Sequence, residues 1–119
     1  MKMITAELTG LSLDYALARA EGKEFSIADN LCGEKRVWLH GGTWAYMHTD
    51  PNIYTELMNE HKMDVTWGCS GKCYVQPSGN ADFAWIGGET LPEAVARCVV
   101  AMRLGDEVDV PDELVGVQS

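Results

Sequence analysis

Apolar positions in this chain switch between helical and strand spacing several times, and each switch marks an element. Leu13, Ala16, Leu17 and Ala20 recur at a 3.6-residue period, which predicts a helix within residues 5–21. Thr5 or Thr9 can cap it, and Gly22 stands where a left-handed residue ends a helix. Gly10 would weaken a first turn, so a short turn followed by the helix is expected. Asp14, Arg19 and Glu21 are expected to face water. Residues 23–33 have no clean period and read as a loop, with Phe25, Ile27 and Leu31 as anchors.

Residues 34–40 then alternate, with Val37 and Leu39 on one face and Trp38 on the other, as a strand does. Gly41-Gly42 signals a turn, and residues 43–48 read as the return strand of a first hairpin. Residues 49–62 look helical: Thr49 or Asp50 can cap, Pro51 sits near N1, and Ile53, Leu57 and Met58 form the apolar stripe. Residues 63–67 and 73–77 are short strands around Ser70-Gly71, and 81–87 is a further strand with Phe83 and Trp85 on one face. The strongest helix signal follows. Thr90 and Glu93 have capping-box spacing, Leu91, Ala94, Val95, Cys98, Val99 and Met102 form a wide apolar face, and Gly105 ends it. Residues 107–111 read as extended.

This order predicts an α+β fold: a small, mainly antiparallel sheet built from two hairpins and an extra strand, with about three helices packed on one face. At 119 residues one domain is expected, spanning 1–113, with 114–119 as a frayed tail. A net charge of −9 argues against direct nucleic-acid binding, which needs a basic footprint. No apolar run is long enough to span a membrane, and the opening residues lack a signal-peptide core. A cytoplasmic setting with reduced thiols is therefore expected.

The stretch "WGCSGKCY", 67–74, raises a question of register. A two-residue Ser70-Gly71 loop pairs Trp67 with Tyr74 and sends Cys69 and Cys73 to opposite faces. A three-residue loop over 70–72 sets the two thiols directly across from each other. The first is favoured because it pairs the aromatics and gives Gly71 the positive φ.

Candidate chemistry is sparse. Cys32, Cys69, Cys73 and Cys98 with His40, His48 and His61 lack the paired spacing of structural zinc sites, so no metal and no cofactor is expected. Nucleophile-elbow, phosphate-loop and zinc-protease motifs are missing, so no catalytic residue is assigned and a binding protein is favoured over an enzyme. Trp38, Trp44, Tyr46, Trp67 and Tyr74 lie on predicted strands. A face showing such rings beside Arg36 suits a nucleobase or a partner loop. Asp50 reads as a helix cap, and Arg97 as a cation able to pair with Asp14 or Asp50.

Three stretches, "ELTGLSLDYALARAEG", "TDPNIYTELMNEHKMDV" and "LPEAVARCVVAMRLGDEVDVP", together resemble the NinX-like proteins of lambdoid phages and enterobacterial prophages. The matching positions are Leu8, Thr9, Gly10, Leu13, Asp14, Tyr15 and Ala16, then Thr49 and Asp50, then Ala94, Arg97, Cys98, Val100, Ala101 and Gly105 to Val108. The chain departs from that pattern at "IYTELM" and "TLPE". The resemblance implies a phage or prophage protein in the bacterial host cytoplasm and brings no catalytic residues with it. The expected function is binding of a host protein, in host takeover or counter-defence. The ligand-binding candidates are Arg36, Trp38, Trp44, Tyr46, Asp50, Trp67, Tyr74 and Arg97. One alternative is capture of a small nucleotide-like signal by a homo-oligomer. A weaker alternative is a hydrolase using Asp14 or Asp50.

Overall fold

The computed structural model describes residues 1–41, 45–80 and 82–114. Its centre is the contact between α1 (Gly10–Ala20) and α3 (Leu91–Leu104). Leu11, Leu13, Ala16, Leu17 and Ala18 of α1 are fully buried, as are Val95, Cys98, Val99 and Val100 of α3. A short 3₁₀ turn at Thr5–Glu7 precedes α1, matching the turn-then-helix expectation. Thr90 caps α3 by accepting from the Glu93 amide at 3.4 Å. The Glu93 carboxylate reaches back to the Glu89 amide at 3.0 Å, so two helix-entry donors are satisfied. α2 (Pro51–His61) starts at Asp50, whose side chain accepts from the Asn52 amide at 2.9 Å, and it packs on α3.

The fold is α+β, and all its strand pairs are antiparallel. The pairing is distributed over three separate small sheets. β1 (Lys2–Ile4) pairs with β7 (Glu107–Asp109), with Met3 opposite Val108. β2 (Phe25–Asp29) pairs with β3 (Lys35–Leu39). β4 (Met63–Trp67), β5 (Cys73–Pro77) and β6 (Ile86–Gly88) form the third sheet in that order. On β5, Cys73, Val75 and Pro77 are buried toward α3, while Tyr74 and Gln76 stand half-buried on the other face. Among the described residues, no helix is long and apolar enough to cross a membrane.

Several local expectations change. Residues 25–29 are a strand, not a loop. Phe25 and Ile27 alternate inward, and Asn30 makes the turn by accepting from the amides of Cys32 (2.9 Å) and Glu34 (3.0 Å). Leu31, expected as an anchor, is fully exposed at the tip of that hairpin. The expected return strand over 43–48 reduces to one bridge, Trp38 with Ala45, beside a 2.7 Å bond from the Tyr46 amide to the Val37 carbonyl. Residues 42–44 lie outside the described residues. The strand expected over 81–87 begins only at Ile86, because a turn closed from the Phe83 amide to the Asn80 carbonyl precedes it. Of the expected tail, residues 115–119 lie outside the description, while Leu114 is buried and its carbonyl accepts from Ser12 at 3.0 Å.

Neither expected register of the 67–74 hairpin forms. Trp67 pairs with Cys73 and Thr66 with Tyr74. The loop is Cys69-Ser70-Gly71. The Gly71 amide bonds the Gly68 carbonyl (3.0 Å), the Gly68 amide bonds the Lys72 carbonyl (2.8 Å), and Gly71 has φ +85°. This is the three-residue connection of a turn followed by a left-handed residue, for which glycine is the natural choice. Cys69 is therefore exposed in the loop and Cys73 is buried in the sheet. Aromatic cross-strand pairing gave way to a tighter fit, with the Tyr74 ring lying beside Gly68. A side-chain Cβ at Gly68 would come within 3.0 Å of that ring.

Candidate functional site

Tyr74 and Arg97 are the two predicted site residues that share a cavity. A groove of about 420 Å³ is lined by both, together with Thr9, Lys72, Gly87 and Gly88, and with Ala6, Glu89 and Glu93 on its walls. Its floor is the solvent-side face of the third sheet. The Tyr74 ring lies between Gly68 and Gly87, where added Cβ atoms would stand 3.0 Å and 2.9 Å from the ring. No side chain at either glycine can cover the ring, so the glycines make the slot it occupies.

Arg97 is buried on α3 and reaches the edge strand β6. Its Nε donates to the Leu8 carbonyl at 2.9 Å and its Nη1 to the Gly87 carbonyl at 2.9 Å. Nη1 also lies 3.3 Å from the Glu93 carboxylate. The guanidinium thus joins the start of α1, the edge of the third sheet and its own helix. Its Nη2 makes no hydrogen bond among the described residues and is not sealed from water. Lys72 pairs with Glu89 at 3.3 Å in an exposed contact of little energetic weight. The groove therefore carries two cations, two carboxylates, one aromatic ring and edge-strand backbone. That set can recognise a planar polar molecule with both acceptors and donors.

No protein-family model and no curated protein matches the chain.

The remaining candidates are dispersed. Arg36 is held by Glu34 at 3.2 Å and by the Lys35 carbonyl, and Trp38 donates from its indole to the Ala28 carbonyl at 3.0 Å, both on the β2–β3 hairpin. Trp67 is exposed on β4. Tyr46 is buried in the core, Asp50 is engaged as the α2 cap, and Trp44 lies outside the described residues. The rings do not form one face, because β3 and β5 belong to different sheets.

Asp14 is the clearest correction. It was expected in water and is fully buried. Its Oδ1 accepts from the His48 amide at 2.7 Å and lies 2.5 Å from His48 Nδ1, while Oδ2 is buried without a partner. α1 is covered on one side by α3 and on another by β3, so its polar position at 14 must be satisfied internally. The pair fastens the 45–50 segment to α1. Arg97, expected to pair with Asp14 or Asp50, bonds to neither. Neither Asp14 nor His48 lines any of the cavities described here.

A second cluster was not foreseen. Glu21, Glu60 and His61 bring their ligand-type atoms within 4.8 Å of one another. A small cavity of about 60 Å³ beside them is lined by Glu21, Glu60, Glu56, Tyr46 and Lys23. Desolvation first, and then the field of Glu21, Asp14, Glu56 and Glu60, pushes the Tyr46 hydroxyl well above its usual range. Sequence spacing could not show this cluster, since Glu21 and His61 are 40 residues apart.

Proposed function

We propose that the protein is a non-enzymatic binding protein that captures a small, planar, polar ligand, nucleotide-like in its chemistry, in the groove beside Tyr74 and Arg97. The observation that carries this reading is a half-buried tyrosine ring and a largely buried guanidinium lining one groove, with the guanidinium Nη2 unbonded within the described residues and open to solvent. A ring can lie against Tyr74 while carbonyl or phosphate oxygens meet Arg97 and Lys72, and amino groups meet Glu89 or Glu93. The groove volume falls within the range of small-molecule sites.

The phage or prophage setting, in a bacterial host cytoplasm, rests on the NinX-like resemblance. Two of the stretches that carry it, around Leu8-Thr9 and around Arg97, meet at this groove. Capture of a host signal by a homo-oligomer is the corresponding role. Thermal unfolding against a panel of mono-, di- and cyclic nucleotides tests it. One ligand class should raise Tm in a concentration-dependent way, and Tyr74→Leu should abolish the shift. Flat curves across the whole panel would sink the proposal.

A second reading, docking to a host protein, is favoured by the exposure of Trp67 (61%) at the end of β4 and of Trp85 (45%) just before β6. Large exposed aromatics are typical anchors of protein interfaces. A hydrolase using Asp14 or Asp50 has less support, because one carboxylate is sealed against His48 and the other caps α2.

A further inference from the structure

We propose that Glu21, Glu60 and His61 form a binding site for a first-row divalent cation, with zinc the ion whose ligand preferences they match best. The Glu21 side chain is only 8% exposed, and its one polar partner among the described residues is His61 Nε2 at 3.3 Å. A carboxylate taken out of water needs strong compensation, and charged pairs normally close to about 2.7–2.9 Å. The His61–Glu21 contact is too long to supply that compensation as a hydrogen bond.

The same distance has a different meaning around a metal. Ligand bonds of 2.0–2.1 Å at tetrahedral angles put neighbouring ligand atoms roughly 3.3 Å apart. His61 Nε2 lies 3.3 Å from Glu21 Oε2 and 3.8 Å from Glu60 Oε1. Two of the three donor–donor edges are thus close to that length, and the third lies within 4.8 Å. Imidazole with two carboxylates favours zinc and its first-row neighbours over magnesium or calcium, which prefer all-oxygen shells.

Tyr46 gives an independent indication. It is 6% exposed and lines the cavity that Glu21 and Glu60 also line. Its hydroxyl has no hydrogen-bond partner among the described residues. Tyr46 is thus largely buried while its hydroxyl is not sealed from water, and the adjoining cavity of about 60 Å³ accommodates one or two waters, one of which a metal could hold. The backbone adds to the preference for a cation. Glu21 is the C-cap of α1 and His61 is the last residue of α2, so the negative ends of two helix dipoles meet here. Lys23, the one cation lining the cavity, forms no ion pair with these carboxylates among the described residues.

The test is calorimetric titration of the metal-stripped full chain with zinc chloride, in a Cys32→Ser/Cys69→Ser background that removes the exposed thiols. The expected result is one zinc per chain. Cobalt substitution should give a weak visible spectrum without thiolate charge-transfer bands. Glu60→Gln and His61→Gln should each weaken binding by more than roughly tenfold, the scale of even an outer-shell loss. Glu60 is half exposed, so its variant leaves folding intact. No zinc binding in the parent, or a loss smaller than tenfold in both variants, overturns the proposal.

Discussion

Arg97 and Glu21 are both charged side chains almost withdrawn from water, and the protein treats them in opposite ways. Arg97 meets two backbone carbonyls and a carboxylate at 2.9–3.3 Å. Glu21 meets one imidazole at 3.3 Å. Arg97 is therefore part of the scaffold that shapes the groove, with one nitrogen left over for a ligand. Glu21 lies where the ends of α1 and α2 meet, with His61 as its side-chain partner among the described residues. Arg97 thus serves the scaffold and the groove together, whereas Glu21 has only one long contact there.

The largest expected effect sharpens that contrast. Arg97→Met should cost about 3–5 kcal/mol in urea unfolding, because the Leu8 and Gly87 carbonyls and Glu93 lose their partner together. Glu21→Gln, measured without metal, should change stability by less than about 1 kcal/mol or raise it, since a poorly compensated buried charge disappears. Equal costs for the two would break the comparison.

The next effect concerns the groove walls. A Cβ at Gly88 would stand 2.6 Å from the Ala94 backbone nitrogen, whereas one at Gly87 would meet the Tyr74 ring at 2.9 Å. Backbone cannot yield as a ring can, so Gly88→Ala should destabilise by about 2–3 kcal/mol and Gly87→Ala by about 1 kcal/mol. Gly87→Ala should also displace Tyr74 and weaken ligand binding. Reversal of that order in denaturant titrations would show that the slot is not packed as described.

The smallest effect at neutral pH is at the thiols. Cys32 and Cys69 are exposed and should alkylate in the native protein, while Cys73 and Cys98 should react only on unfolding. Burial pushes the Cys73 thiol up and the Cys98 thiol to about 11. A raised acid binds its proton more tightly when folded. Its stabilisation is complete below the unfolded value of 9.0 and is lost as pH rises from there to about 11. Tyr46 acts in the same direction above its ordinary 10.0. Stability measured across this range should fall with pH, and a rise would contradict the burial of these groups.

Local signals carried much of the fold. Caps at Asp50 and Thr90, the turn before α1 and the strands at 63–67 and 73–77 were legible because each depends on residues close in sequence. The β2 strand was missed because its two inward residues, Phe25 and Ile27, gain meaning only when Lys35–Leu39 pairs with them. The 67–74 register was misjudged because Gly68 and Gly87 hold Tyr74 from two different strands. Arg97 and Tyr74 line one groove, but nothing local in the sequence shows that they meet. Asp14 looked solvated because a helix read alone has only one covered face, whereas α1 is covered on more than one side. The Glu21–His61 contact joins the ends of two helices and leaves no trace in spacing.

The central claim is that the groove beside Tyr74 and Arg97 is the ligand site. Amide chemical-shift mapping of the labelled protein, titrated with the nucleotide class that raises its Tm, tests it most directly. Saturating shifts should concentrate at Thr9, Lys72, Tyr74, Gly87, Gly88 and Arg97. Shifts that never saturate, or that gather at Trp67 and Trp85 and leave the groove unchanged, would contradict the account.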